Sequence, residues 1–207
     1  MFSKHRLEAL SDGIFAVAMT LLVLDLIPHT DIPTGQLGHT LAHNGPAWFG
    51  LILTFGISAV FWTLQHRVFD LIDDICPATI IPTFIFLGLI AILPFTAAIL
   101  GHHVSDRLAS MLYFGNYFGI ALALAAKLEI ARHHGLLHRN ADTLPVRLRL
   151  YSMCLIGGGC FIAALFLPIT RFWIAPVILG FLIRIAHRVY NKRLGKRAAH
   201  KTKIKPA

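Results

Sequence analysis

Charge is what this sequence has least of. Asp, Glu, Lys and Arg make up only 14% of its 207 residues, where a soluble domain carries about a quarter. With 56% hydrophobic residues and a mean hydropathy of +0.68, a globule of this size lacks the polar surface to cover its apolar side chains. The composition excludes an ordinary soluble domain and predicts an integral membrane protein. Cysteine is scarce as well: Cys76, Cys154 and Cys160 form no CxxC pair and no readable disulfide framework. Catalytic signatures are missing. There is no HExxH, no GxSxG and no cluster of carboxylates at membrane depth, which argues against a membrane enzyme. No cleavable signal peptide is expected, because the first apolar stretch contains Asp12.

Long apolar runs are abundant. Six segments, roughly 6–27, 48–65, 79–100, 108–127, 150–167 and 172–190, approach the roughly 20 residues that a helix needs to cross the hydrocarbon layer. They are continuous and do not alternate with period two, so helices rather than barrel strands are predicted. The expected organisation is a six-helix transmembrane domain over 1–190, followed by a basic tail over 191–207. The net charge of +9 is spread between the apolar segments and that tail, which does not read as a nucleic-acid surface. If the N-terminus is cytoplasmic, all of the 19 Lys and Arg except Arg107 and Arg171 fall on the inner side. The positive-inside rule then places both termini in the cytoplasm. The tail cations satisfy that topology and attract anionic lipid, each contributing about 1 kcal/mol near the surface.

Ionisable residues within a membrane segment are costly and normally face protein or water. The first segment has Arg6, Glu8 and Asp12 towards one end and Asp25 at the other. Between them, Gly13, Val17, Thr20, Leu21 and Leu24 recur at spacings of three and four and share one helical stripe. Such a narrow seam fits an axis with Asp12 and Asp25 near its two mouths. On periodicity alone, packing against a neighbouring helix of the same chain is the plainer reading.

The run from Arg6 to Asp25, RLEALSDGIFAVAMTLLVLD, resembles the first helix of prokaryotic members of the transmembrane protein 175 family of potassium channels. Arg6, Ser11 and Asp12 stand in register with that family's R-x-x-x-F-S-D hallmark, with Leu10 in place of the phenylalanine. Residues 61–69, FWTLQHRVF, resemble the W-x-x-H-H-R pattern of its second helix, with Gln65 for the first histidine, and Leu93-Pro94-Phe95-Thr96 resembles its L-P-F-[ST]. The resemblance implies an all-α homotetramer of six-helix subunits in the cell membrane, with the first helix of each lining a central pore for K⁺. By register, Val17, Leu21 and Leu24 match the family's apolar constriction rings and Thr20 matches the hydroxyl layer between them. No cofactor is expected beyond the permeating K⁺.

Rings of Val and Leu block ions by dewetting when they are narrow. The chain has no TVGYG filter, and Gly157-Gly158-Gly159 reads as a close-packing or bending site in the fifth segment. Discrimination would then come from Thr20 hydroxyl dipoles and from apolar rings that penalise the more tightly hydrated Na⁺. Asp25, and with it Asp31, would concentrate cations at the outer mouth. Arg6, Ser11 and Asp12 are expected to form a structural network with Trp62 and His66 of the second segment, the alternative being direct ion binding at Asp12. Glu129 is expected to pair with Lys127. His102-His103 and His133-His134 are expected to be solvated loop residues, since neither pair has zinc-like spacing. A secondary transporter or proton/cation exchanger is the stronger rival reading. It would require helices broken by Gly or Pro in corresponding places.

Overall fold

A computed structural model describes residues 3–26, 35–39, 45–103, 105–138 and 141–166. The predicted sixth span, 172–190, and the basic tail lie outside the described residues. Five long helices account for nearly all the rest, and each is long and apolar enough to cross a membrane. Helix α1 runs Lys4–Leu21 and continues as a 3₁₀ turn over Leu22–Leu26. Then come α2 (Gly45–Leu71), α3 (Pro77–His102), α4 (Arg107–His133) and α5 (Leu144–Phe166). Their starts follow ordinary capping chemistry. The Ser3 hydroxyl accepts the Arg6 amide at 3.3 Å, Asp106 accepts the Leu108 amide at 2.7 Å, and Pro77 opens α3, where its missing N–H costs nothing.

Three helices overrun their expected apolar limits. Helix α2 continues past residue 65 to Leu71, α4 past 127 to His133, and α5 starts at Leu144 rather than 150. All three extensions lie at the cation-rich end. An apolar run marks only the part of a helix solvated by hydrocarbon, whereas the backbone goes on closing its own hydrogen bonds into the charged interface. At 27 residues, α2 and α4 each reach about 40 Å, beyond the hydrocarbon thickness.

Helix α4 is the most buried and packs chiefly against α3 and α5. Its contact with α5 is close because of the glycines. A Cβ on Gly157 would lie 2.6 Å from a Tyr117 ring carbon and 3.1 Å from the Phe118 Cα, so the run is a packing site, as its composition suggested. Helix α1 packs on α2 and α3 through Leu7, Ser11, Phe15 and Ala18, with Phe15 5.9 Å from Phe86. Helix α3 runs unbroken through Pro82 and Pro94, and α5 through its three glycines.

At the cation-rich end the connections are clipped together. The Lys4 ammonium donates to the Ile72 carbonyl at 2.8 Å, Ile72 bridges to Leu137, and His138 pairs with Asp73. Glu129 does not pair with Lys127. Residues two apart point to opposite sides of a helix, so Glu129 faces α5 and accepts from Arg147 at 2.6 Å, from Arg132 at 2.9 Å and from the Tyr151 hydroxyl. Lys127 turns inward, buried, with its ammonium 3.3 Å from the centre of the Phe69 ring.

Candidate functional site

The candidate site is the face that α1 leaves uncovered. Leu7, Ser11, Phe15, Ala18 and Leu22 occupy the buried side of the helix and attach it to the subunit. On the opposite side Val17, Leu21 and Leu24 are 59%, 43% and 52% exposed, and Gly13 and Thr20 are exposed with them. None of the described helices of the same chain covers this stripe. After Leu21 the helix tightens to three residues per turn, a geometry in which residues three apart eclipse, so Leu24 comes nearly over Leu21.

The Thr20 hydroxyl sits among these apolar side chains with its proton committed. It donates back to the carbonyls of Val17 and Ala16, at 2.9 and 3.0 Å. What Thr20 presents outward is oxygen lone pairs rather than a donor. Leu10 was not among the expected stripe residues, yet it is 42% exposed. Counting back from Gly13 by three, and again by four, gives Leu10 and Arg6 on the same line. The spacing that revealed the stripe would have extended it two turns further.

Asp12 lies about a third of a turn round the helix from the stripe. Its carboxylate accepts the Trp62 indole N–H at 2.8 Å, and His66 stands 3.9 Å from the same oxygen. Trp62 and His66 are one turn apart on α2, with ring centres 4.9 Å apart, so both reach one carboxylate. Buried Ser11 donates to the Leu7 carbonyl at 2.8 Å and lies 3.5 Å from the Gln65 amide nitrogen. Asp12, Trp62 and His66 are thus brought together, with Ser11 beside them on the buried side. Arg6 is exposed and makes no ion pair among the described residues.

At the other end Asp25 turns towards α3 and bonds His102 Nε2 at 2.9 Å. His102 is thus the last residue of a helix with a carboxylate partner, not a solvated loop histidine, and His133 likewise closes α4. Sequence reasoning missed the His102 pairing because its partner lies 77 positions away. Among the described residues, no group of three His, Cys, Asp or Glu side chains is placed to hold a metal ion.

The family model for the endosomal/lysosomal potassium channel TMEM175 matches residues 6–94, which hold the exposed stripe, Asp12 and its α2 partners. A potassium channel of Chamaesiphon minutus is 30% identical over 176 residues, covering 82% of this chain and 86% of that one. The chain belongs to the TMEM175 family. A second relative, a potassium channel of Streptomyces collinus, is 30% identical over 135 residues; the match spans 65% of each chain, just under two thirds. The fold is shared too. The crystal structure of a lysosomal potassium-selective channel TMEM175 homolog from Chamaesiphon minutus has a TM-score of 0.64 at 24% identity, covering 86% of this chain and 96% of that one. This TMEM175 chain is accordingly an all-helical, multi-span membrane protein whose relatives are named as channels.

Proposed function

We propose that this protein is a leak-like, potassium-selective cation channel. Four copies assemble around a shared axis, and the first helix of each lines the pore. The observation that carries this reading is the exposed face of α1: among the described residues, Val17, Leu21 and Leu24 project away from the other helices of their own subunit with a hydroxyl oxygen between them. Four copies of each side chain make apolar rings around a layer of four oxygens. The rings exclude water columns when narrow, and the Thr20 lone pairs offer dipoles to a partly dehydrated cation. Na⁺ holds its hydration shell more tightly than K⁺, so K⁺ is favoured through such a constriction.

In this reading Asp25 contributes negative potential at the outer mouth without touching the ion, since its carboxylate is held by His102. Asp12, Trp62, His66 and Ser11 fix α1 against α2, with Arg6 at the inner end. A carboxylate bonded to an indole N–H serves better as an anchor than as an ion ligand. The concentration of Lys and Arg at the end carrying Lys4 and Arg67 supports cytoplasmic termini in the plasma membrane. An exchanger is less well supported, because α3 and α5 run unbroken through the prolines and glycines that would have interrupted them.

The test is electrical. In planar bilayers Thr20→Ala lowers the K⁺/Na⁺ permeability ratio, whereas Val17→Asn and Leu24→Asn raise conductance by wetting the constriction. Unchanged currents and reversal potentials in all three variants contradict the assignment. An exchanger would carry K⁺ only against a counter-ion gradient, whereas a channel passes it down the electrochemical gradient alone.

A further inference from the structure

We infer that His102 is a positioning residue for the outer end of the conduit: through Asp25 it holds the 3₁₀ turn that carries Leu24. The inference rests on the pore reading of α1 and goes beyond it to a residue on another helix. The turn Leu22–Leu26 is fixed at three points. Leu22 and Leu26 are buried against the subunit, and Asp25 is bonded to His102 Nε2 at 2.9 Å. Val23 and Leu24 are the residues left projecting, and Leu24 is the one immediately before the polar anchor and nearly over Leu21.

The approach of Asp25 to α3 is tight. A Cβ placed on Gly101 would stand 3.3 Å from Asp25 Oδ2, so α3 presents bare backbone where the carboxylate arrives. The carboxylate side chain is only 20% exposed, and a half-hidden charge of that kind needs a donor. A hydrogen bond to a carboxylate is stronger than a neutral one, and it is the polar restraint seen on a short 3₁₀ segment of intrinsically poor hydrogen-bond geometry. Without it the turn unwinds, and the four Leu24 side chains are free to close on one another, which removes apolar surface from water and narrows the outer ring.

The full-length protein in planar bilayers tests this with His102→Leu, His102→Gln, Asp25→Asn and Leu24→Ala. His102→Leu is expected to lower unitary K⁺ conductance about tenfold, the factor that a lost hydrogen bond to a charged group carries. His102→Gln, which keeps a neutral donor at the same place, restores conductance. Asp25→Asn, isosteric and weaker as an acceptor, falls between. Adding His102→Leu to Leu24→Ala changes conductance no further, because the ring it acts through is gone. If Leu24→Ala alters conductance but His102→Leu does not, or if Gln fails to rescue, the positioning role is overturned while the pore reading stands. If Leu24→Ala itself is silent, the pore reading falls and this role falls with it.

Discussion

Gly157, Gly158 and Gly159 are consecutive in sequence, and the structure assigns them three different responses to the same alanine substitution. A methyl on Gly157 would lie 2.6 Å from a Tyr117 ring carbon and 3.1 Å from the Phe118 Cα. The second neighbour is main chain and cannot swing away. Restoring carbon–carbon contact near 3.5 Å or more requires α4 and α5 to separate by roughly half an ångström even after the Tyr117 ring turns aside. Overpacking of that kind costs about 1–3 kcal/mol, offset by about 1 kcal/mol of helix propensity gained by alanine over glycine. Gly157→Ala is therefore destabilising by up to about 2 kcal/mol. At Gly158 the neighbour is the edge of the Phe118 ring at 3.3 Å, which can yield by a few tenths of an ångström, so the two effects nearly cancel. At Gly159 a Cβ meets nothing among the described residues, leaving only the propensity gain of about 1 kcal/mol. Thermal unfolding of detergent-solubilised protein reads the series. The midpoint falls for Gly157→Ala, barely moves for Gly158→Ala and rises by about 2–4 °C for Gly159→Ala. Equal shifts at all three positions would refute the packing argument. A changed K⁺/Na⁺ ratio in Gly159→Ala, with stability unaffected, would revive a filter role for the run.

Three further substitutions probe the contacts that hold the helices. Trp62→Phe removes the donor to Asp12 while keeping an aromatic ring, and is expected to cost about 1.5–3 kcal/mol. In the Asp12→Asn background the same change costs less, which a double-mutant cycle on unfolding midpoints measures. Tyr113→Phe breaks the 3.2 Å contact between its hydroxyl and that of Thr54 in the core and lowers stability by about 1 kcal/mol, read by the same melt. Phe69→Leu keeps the apolar bulk but strips the ring from under the Lys127 ammonium, a loss of about 2 kcal/mol at a desolvated site. That loss disappears in Lys127→Met, and persistence there would rule out the cation–ring contact as its cause.

Much of this protein was written in local pattern. The runs around 6–27, 48–65, 79–100, 108–127 and 150–167 each became a helix, and the spacing of Gly13, Val17, Thr20, Leu21 and Leu24 gave one stripe on the first of them. Lipid solvates side chains one by one, and a helix satisfies its backbone within itself, so membrane spans follow from neighbouring residues alone. Other features were not legible. The stripe's direction depended on which face of α1 the subunit covered, which Phe15, Ala18 and Leu22 decided by packing. Apolar runs also hid how far the helices reach at the cation-rich end, because interface residues do not register as hydrophobic. Glu129 took Arg147 on the next helix rather than the sequence neighbour Lys127, and Asp25 took His102 across 77 positions. Those pairings belong to the tertiary structure alone: a partner is set by which helix lies alongside and at what height, and no periodicity within a single helix carries that information.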